Sequence, residues 1–587
     1  MPNQTNHLEQ ALDHLRSGAW GDAESTLRDL VKQRPPDAAT LNLLGVALQQ
    51  QMRLDEAAEA MAEACRVAPD NAEFHSNLAA TFILGRRFTD AEAAARKATS
   101  LAPERADAHA NLGTALRRQG RLEEAAASFR LAAQLRPDFP SYRTNLGDML
   151  QQLGRIDEAI AELTAVVDAA PDNLKARSDL IMTLNYSDAV SGTDLSRESR
   201  AFGEVAGRKA AGRVLDARPK RTAGSPLRIG FVSGDLRHHA VAQFLLGALP
   251  ALTGAGHLLF AYATRDAADD VTVRLRSRFV GWRDITRISD RAAAKAIADD
   301  GIHVLVDLSG HSGANRLPVF AYRPAPVMAT WLGYSGTTGL AEMDYILADA
   351  HVLPLADEAC FSERPMRLPE CYLLFSEPSA PDVPPVPALT RGHVTFGSFN
   401  NLGKLSGATI KLWSRVLHGV PDGRLVLKSP TLGAQQARQL ISGRFAAHGV
   451  DADRIDVLGR VADVGGHLRA YGEIDICLDP FPYAGTTTTC EALWMGRPVI
   501  TLEGDRFTAR VGASLLRTVG LGDWVAGSEA EYLAMATARA ADIGALTDLS
   551  QRLRSRMRTS PLMDRDRFAA NIVAAFETMW AERGTKD

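Results

Sequence analysis

The chain has 587 residues, a formal net charge of −4 and the composition of an ordinary globular protein. Charges of both signs are interspersed, which argues against a nucleic-acid binder because such a protein would present a basic face. The apolar runs are all too short to span a bilayer, so we predict no membrane insertion. At about 100–200 residues per domain, the length predicts about three or four domains.

The cysteines are odd in number and follow no CxxC spacing, which argues against a disulfide framework and against a zinc site. The N-terminal sequence has neither the basic segment nor the apolar core of a secretory signal. We therefore predict a cytoplasmic protein with reduced cysteines. These are Cys65, Cys360, Cys371, Cys477 and Cys490.

The first third of the chain repeats itself every 34 residues. Each period predicts two helices joined by a turn, and such units bury their apolar faces only by stacking. We place this solenoid at residues 1–190, with about five repeats from Leu8 to Pro171 and a capping helix at Asn173–Val190. The repeated positions are Pro35, Pro69, Pro103, Pro137 and Pro171, Gly45, Ala79, Gly113 and Gly147, and Ala23, Ala57, Ala91, Ala125 and Ala159.

Three asparagines, Asn77, Asn111 and Asn145, recur with the same period, whereas the earliest full repeat has Leu43 there. A side-chain amide can pair bidentately with a peptide bond whatever the neighbouring side chain is. We predict that these residues bind an extended polypeptide in the concave groove. A solvated helix surface or a local capping role would explain the same spacing.

Residues 191–226 are polar and are interpreted as a helix plus linker, with the basic run Arg218–Arg221 as a solvated connector. After them, short apolar runs alternate with helical segments, a pattern that predicts two doubly wound parallel sheets, in residues 227–385 and 386–587. The proline-rich segment Pro378–Ala388 joins the two. The predicted strands are Leu227–Ser233, His257–Thr264, Ile302–Leu308, Val327–Gly333 and Tyr345–Ala348, then His393–Phe399, Arg424–Lys428, Arg454–Leu458, Ile474–Leu478 and Pro498–Leu502.

Polar segments follow several of these strands, and two such sheets leave a cleft between their carboxyl edges. The segments are Ser233–His239, Ser309–Ser312, Gly333–Gly339 and Ser398–Lys404. The chain has no GxGxxG followed by an acid and no GxxxxGK[ST], which disfavours a nicotinamide enzyme and a P-loop NTPase. No Asp-x-Asp follows a strand to hold a divalent metal, so protein groups must offset the charge of a leaving group.

The segment Asp479–Glu491, DPFPYAGTTTTCE, follows a strand and opens a helix. Its threonines therefore lie at a helix N-terminus, where unpaired backbone N–H groups and the positive end of the helix dipole attract anions. We predict that this segment binds a diphosphate. A plain capping turn is the alternative interpretation, because threonine is a good N-cap.

Several motifs together carry a family resemblance. The pattern NLG…GRxxEAxxxxxxAxxLxP resembles the tetratricopeptide repeat (TPR), and LRIGFVSGDLRHH, LSGHSGANRLPVFAYRPAPVMATWLGYSGTTG, TFGSFNNLGK, FPYAGTTTTCEALWMG and VGASLLRTVGL resemble glycosyltransferase family 41. That is the protein O-linked N-acetylglucosamine transferase family. The resemblance implies an α plus α/β fold: a TPR solenoid followed by a GT-B region of two Rossmann-like domains.

Within the family, GSFNNLGK and PYAGTTTTCE resemble the SPINDLY branch. The N-acetylglucosamine branch carries Gln where this chain has Asn401 and His where it has Thr486. The resemblance implies metal-independent, inverting transfer of a single sugar from UDP-N-acetylglucosamine or GDP-fucose to Ser or Thr of a protein. The nucleotide sugar is then a co-substrate, and no separate cofactor is expected.

The resemblance also assigns roles to individual residues. Lys404 contacts the donor diphosphate, Glu491 lies near the ribose, and His467 lies beside the base. Catalytic roles fall to His239, as a base or orienter of the acceptor hydroxyl, and to Lys404. The donor-binding residues are Asn401, Lys404, His467, Gly485, Thr486, Thr487, Thr488 and Glu491.

Three site assignments keep an alternative interpretation. Lys404 could be a surface lysine, Glu491 could be an acid complementing the helix dipole, and His311 could line the cleft or be a buried structural histidine. Two rival functions also remain. One is a catalytically silent TPR adaptor. The other is a glycosyltransferase dedicated to a surface protein such as flagellin, with another donor such as a nonulosonic acid.

Overall fold

The computed structural model describes residues 2–33, 37–215, 217, 219–222, 224–266, 268–433, 435–461 and 463–583. The chain divides into two compact units, Met1–Leu153 and Gly154–Asp587. Pro35 and Arg218, which belong to the repeat and the basic run, lie outside the described residues. Among the described helices, none combines the length and the apolarity needed to cross a bilayer.

The first unit is built of helix pairs, as the repeat predicts. Small residues let the helices approach closely: a Cβ on Gly45 would lie 2.5 Å from Met61 Cγ, and one on Gly113 would lie 3.0 Å from the Phe129 ring. The repeated alanines of this unit are fully buried. Its helices are α1 (Pro2–Ser17), α2 (Trp20–Gln33), α3 (Ala38–Gln50), α4 (Leu54–Val67), α5 (Ala72–Leu84), α6 (Phe88–Leu101), α7 (Ala106–Arg118), α8 (Leu122–Leu135) and α9 (Pro140–Gln152).

The second unit begins with α10 (Ile156–Ala169), α11 (Leu174–Leu184) and α12 (Gly192–Ala210). The boundary between the two units therefore lies at Leu153–Gly154, whereas the sequence places the end of the solenoid at residue 190. A capping box at Ser191 starts α12, whose apolar stripe packs into the core of the first sheet domain. Most of the predicted linker is therefore a docked helix.

The basic run after α12 is not simply solvated, which corrects the sequence interpretation. Arg221 is largely buried and forms a bidentate pair with Glu577, with both N–O distances at 2.7 Å. A fork-shaped guanidinium can be buried when a carboxylate accepts both of its donors.

The first α/β domain has a parallel sheet in the order β3-β2-β1-β4-β5-β6-β7. This is the doubly wound order, in which the chain reverses direction between β1 and β4 and leaves a crevice at their carboxyl ends. The strands are β1 (Arg228–Ser233), β2 (Leu258–Ala263), β3 (Gly281–Asp284), β4 (Val304–Asp307), β5 (Val327–Thr330), β6 (Tyr345–Ala348) and β7 (Arg364–Arg367). The helices are α13 (Ala240–Gly254), α14 (Asp270–Arg276) and α15 (Asp290–Asp299).

The second α/β domain repeats this order as β10-β9-β8-β11-β12-β13, with its reversal between β8 and β11. The two sheets confirm the predicted pair of Rossmann-like domains. The strands are β8 (Thr395–Ser398), β9 (Arg424–Lys428), β10 (Ile455–Leu458), β11 (Ile476–Leu478), β12 (Val499–Leu502) and β13 (Val525–Ala526). The helices are α16 (Ala388–Arg391), α17 (Gly407–Gly419), α18 (Gln435–Ala446), α19 (Val464–Arg469), α20 (Thr487–Trp494), α21 (Phe507–Thr518), α22 (Glu529–Ala541), α23 (Ile543–Arg558) and α24 (Arg565–Ala581).

The sequence missed three strands, β3, β7 and β13. Each lies at an edge of its sheet, and β3 and β7 are only partly buried. A strand that is half exposed needs no continuous apolar run, so the signal used to find the central strands is absent there.

Candidate functional site

A cleft of about 450 Å³ lies where the carboxyl ends of the two sheets face each other. It is bordered by the segments that follow β1, β4 and β5 in the first domain and β8 and β11 in the second. These are the reversal points at which doubly wound sheets bind ligands. Six of the predicted site residues line it: His239, Asn401, Lys404, Thr486, Thr487 and Thr488.

Lys404 ends a short 3₁₀ turn, Leu402–Lys404, after β8. Its Nζ donates to the Ala484 carbonyl at 2.7 Å and lies 4.3 Å from the centre of the Tyr483 ring. Burial lowers the pKa of Lys404 to about 8, although the Asp479 carboxylate acts in the opposite direction. The ammonium is therefore charged at neutral pH and lies on the cleft wall, which disfavours the surface-lysine interpretation.

The threonine run begins α20, but no threonine caps it in the usual way. Thr486 occupies the N-cap position without a side-chain capping hydrogen bond, and Thr488 Oγ1 donates instead to Asn400 Oδ1 at 3.0 Å. The plain capping interpretation is thus not realised at Thr486. The start of α20 presents backbone N–H groups and threonine hydroxyls to the cleft, an arrangement suited to a phosphate.

Gly485 and Asp479 hold the loop that precedes α20. Gly485 N donates to Asp479 Oδ1 at 2.6 Å, and a Cβ on Gly485 would lie 2.6 Å from Thr488 Oγ1. Asp479 also accepts from Thr501 Oγ1, and burial raises the pKa of Asp479 to about 6. Gly485 is therefore required by close packing within the loop.

His239 is the N-cap of α13, and its Nδ1 accepts from Val241 N at 3.3 Å. The same nitrogen lies 3.7 Å from Asp235 Oδ2. Burial lowers the pKa of His239, while the nearby Asp235 carboxylate raises it. The neutral ring in this geometry carries its proton on Nε2. Nε2 can act as a base only in the other tautomer, in which the ring proton is on Nδ1. The ring must then rotate so that Nδ1–H points toward Asp235.

His467 and Glu491 do not line this cleft. They form a separate hydrogen-bond network with Lys428. His467 Nε2 lies 3.0 Å from Glu491 Oε2, and His467 Nδ1 lies 2.5 Å from Lys428 Nζ. Since an ammonium can only donate, Nδ1 accepts and Nε2 donates to Glu491. Tyr471 OH donates to the Thr488 carbonyl at 3.2 Å, which links this network to the threonine run.

Glu491 also borders a second cavity of about 510 Å³, together with Val464 and Leu468 of α19. Glu491 lies beyond the first turn of α20, whereas an acid that complements the helix dipole usually lies within that turn. The structure therefore disfavours the helix-dipole role for Glu491. The predicted ribose and base residues are thus joined to each other beside this second cavity.

His311 is a buried structural histidine rather than a cleft residue. Its Nδ1 bonds to Ser178 Oγ at 2.9 Å and its Nε2 to the Thr338 carbonyl at 3.1 Å. Burial lowers the pKa of His311 to about 3. Its ring is therefore neutral at physiological pH, and both nitrogens are occupied.

The predicted acceptor-binding asparagines lie in the first unit, on α5, α7 and α9. Asn77 Nδ2 donates to Asn42 Oδ1 at 3.2 Å, and Asn111 Nδ2 donates to the Ser76 carbonyl at 3.0 Å. These bonds connect consecutive repeats. Part of the amide hydrogen-bonding capacity of Asn77 and Asn111 therefore serves the solenoid itself.

Neither Lys428 nor Tyr483 was predicted from the sequence as a site residue. Lys428 ends β9, so the rule that polar residues after parallel strands face a ligand site could have identified it. Tyr483 stacks on Tyr186 of the segment after α11, with ring centres 4.9 Å apart. That contact joins residues far apart in the sequence, which no local pattern indicates.

Comparison with known proteins agrees with this architecture. The chain matches the family model of glycosyl transferase family 41 over residues 215–377 and 387–572, and TPR models over 8–72, 85–140 and 116–180. A mutant of the Thermobaculum terrenum O-GlcNAc transferase has a similar structure, with a TM-score of 0.81 and 31% identity, covering 87% of this chain and 98% of that one.

Two curated plant relatives are named as probable UDP-N-acetylglucosamine–peptide N-acetylglucosaminyltransferase SPINDLY. The protein from Oryza sativa subsp. japonica is 37% identical over 417 residues, 69% of this chain and 44% of the relative. The one from Petunia hybrida is 39% identical over 359 residues, 60% and 38% respectively. The chain thus spans less than half the length of these relatives. The family model covers most of the chain, in the two sheet domains that form the cleft, and this protein belongs to glycosyl transferase family 41.

Proposed function

We propose that this protein transfers a single sugar from a nucleotide-diphosphate sugar to a Ser or Thr hydroxyl of a protein held by the TPR groove. The observation that carries the proposal is the cleft itself. It brings Lys404, the start of α20 and His239 together at the reversal points of both sheets. A cation and helix N–H groups on one side suit a diphosphate, and a histidine beside a carboxylate suits a hydroxyl.

In the proposed reaction the hydroxyl oxygen attacks the anomeric carbon as the bond from that carbon to the diphosphate oxygen breaks. The nucleoside diphosphate leaves with the electron pair, and Lys404 and the amides of Thr487 and Thr488 offset its charge without a metal ion. The hydroxyl proton passes to His239 Nε2, after the ring has turned its Nδ1–H toward Asp235.

The proposed location is the cytoplasm. The five cysteines are free thiols, and all but Cys360 are buried, as a reducing compartment allows.

The proposed function is tested by incubating the protein with UDP-N-acetylglucosamine or GDP-fucose and with candidate acceptors, flagellin included. Mass spectrometry then localises any attached sugar. An O-linked sugar on Ser or Thr supports it. Donor hydrolysis without any modified protein contradicts it.

The site is expected to discriminate only weakly in favour of UDP and to bind GDP at least as tightly. Asn401 and Thr486 differ from the N-acetylglucosamine branch, and Val464 stands where that branch has a lysine. Val464 is exposed beside Glu491 in the second cavity, which leaves room next to the base-side network. Calorimetric titration should show GDP binding at least as tightly as UDP.

A site built around one base rejects another strongly, because its buried polar groups would go unpaired. UDP binding at least tenfold tighter than GDP, about 1.4 kcal/mol, would therefore return the enzyme to the N-acetylglucosamine branch. Val464→Lys is the matched variant, and it should shift the preference toward UDP if this wall selects the base.

Replacing Asn77, Asn111 and Asn145 together by alanine should raise the KM for a protein acceptor without changing donor hydrolysis by water. The amides that could hold the acceptor backbone lie in the first unit, whereas the donor cleft lies in the second. Steady-state kinetics with varied acceptor makes the measurement.

Asn77 and Asn111 also bond to the preceding repeat, so thermal unfolding of the triple variant must accompany the kinetics. The single variant Asn145→Ala is the control, because it removes one of the three amides and leaves the two bonds of Asn77 and Asn111 intact. Unchanged acceptor kinetics in the folded triple variant would show that the groove is structural or serves another partner.

A further inference from the structure

The Lys404 loop, Asn401–Ser406, is held in place by Arg444, near the C-terminal end of α18. Arg444 Nη2 donates to the Leu405 carbonyl at 2.8 Å. Its Nη1 atom is buried and lacks a hydrogen-bond partner among the described residues. Burial lowers the pKa of Arg444 to about 10, and no carboxylate in the described part of the chain acts against that effect. A buried cation without a counter-charge destabilises a fold, which points to a role other than stability.

Gly154, in the turn before α10, lies directly against this arginine. A Cβ on Gly154 would lie 2.8 Å from Arg444 Nη1 and 3.0 Å from the Leu402 carbonyl oxygen. Gly154 is buried and has a φ of +72°. The bare backbone of this turn therefore packs on both Arg444 and the turn that carries Lys404.

The equivalent turns of the earlier repeats show what is special about Gly154. Met52, Arg86 and Gly120 precede it at 34-residue intervals, have φ values of 61°, 58° and 79°, and are all exposed. Two of them are not glycine, so the left-handed conformation alone does not require one. A Cβ on Gly120 would meet nothing within 4 Å. Only at Gly154, among these four, does a neighbouring segment occupy the Cβ position.

We propose that Arg444 and Gly154 are positioning residues for Lys404. Gly154 leaves the space in which Arg444 reaches the Leu405 carbonyl, and that bond fixes the turn from which Lys404 extends to Ala484 and the cleft. The inference rests on the proposed donor-binding role of Lys404. Neither Arg444 nor Gly154 lines the cleft itself.

The matched pair Gly154→Ala and Gly120→Ala tests this. Both place a methyl group at the same left-handed position of the repeat, which costs each variant a similar small amount of stability. Gly154→Ala should lower the melting temperature further, because its methyl group must also displace Arg444 and the Leu402 carbonyl. Only Gly154→Ala should weaken binding of GDP and UDP, by about tenfold, because a small displacement of a positioned group is costly. Binding of guanosine and uridine, which lack phosphates, should not change. Calorimetry measures the diphosphates, and ligand-observed NMR measures the nucleosides.

Arg444→Met and Arg444→Lys give the second measurement, in case Gly154→Ala does not fold. Methionine keeps the apolar stem but cannot donate to Leu405, whereas lysine can. Diphosphate affinity should fall about tenfold for methionine and be largely restored by lysine. An equal loss of nucleoside and diphosphate affinity would indicate general damage and overturn the inference, as would wild-type diphosphate binding by the folded variants.

Lys404→Ala separates this inference from the proposed function. If Lys404→Ala loses diphosphate affinity while the folded Gly154 and Arg444 variants keep theirs, the positioning inference is wrong and the donor site stands. If Lys404→Ala itself binds diphosphates normally, the assignment of Lys404 is wrong.

Discussion

Lys404→Ala is expected to lower the rate of sugar transfer about 100-fold at saturating donor and acceptor, without loss of the fold. The leaving diphosphate would lose its positioned cation, and removal of one such group costs about 3 kcal/mol in comparable sites. Binding of the acceptor should be unaffected. Single-turnover transfer measured by mass spectrometry, together with thermal unfolding, makes the comparison.

Lys411→Ala is the matched control, because Lys411 is an exposed lysine on α17 of the same domain. This variant should transfer sugar at the wild-type rate. Near-normal turnover by Lys404→Ala would contradict the role of Lys404 in stabilising the leaving diphosphate. Lys404 would then be an ordinary surface lysine.

Affinity for a nucleoside diphosphate is expected to fall as the pH rises above about 8, by up to tenfold per pH unit. Burial lowers the pKa of Lys404 to about 8, so the free protein loses this positive charge above that pH. A bound diphosphate favours the ammonium and raises its pKa, so binding takes up a proton in this range and weakens as protons become scarce. The diphosphate group does not titrate there, since its last phosphate pKa is near 6.

Lys404→Arg isolates this effect because a guanidinium stays charged throughout the range. In this variant the decline in affinity for GDP or UDP above pH 8 should disappear, whatever the affinity at neutral pH is. Burial also lowers the pKa of Lys428, which lies in the adjacent network. A decline as steep in Lys404→Arg as in the wild type would assign the pH dependence to Lys428 or another group.

Much of the fold could be predicted because its signals are local. The 34-residue period identifies the small residues buried between the helix pairs. The central strands are recognisable as apolar runs that are followed by polar residues. The same local signal placed Lys404 and the threonine run at the carboxyl edge of the second sheet and His239 at the carboxyl edge of the first, since parallel strands that neighbour a reversal point end at the same edge of their sheet. The cleft was therefore predictable without knowing any contact.

The remainder depends on contacts between distant residues. Arg221 has the sequence context of a solvated linker, yet Glu577 of α24 accepts its two donors. His311 follows a strand as a cleft residue would, but Ser178 from α11 occupies its Nδ1. The Lys428–His467–Glu491 network joins three separate elements, so neither its existence nor the tautomer of His467 follows from any one segment.

The most direct test of the central claim is a crystal structure of the protein soaked with GDP or UDP. We expect the diphosphate to lie within hydrogen-bonding distance of Lys404 Nζ and of the backbone amides of Thr487 and Thr488, with the nucleoside toward Glu491 and His467. A nucleotide bound elsewhere, or a diphosphate that contacts neither Lys404 nor the start of α20, would contradict it.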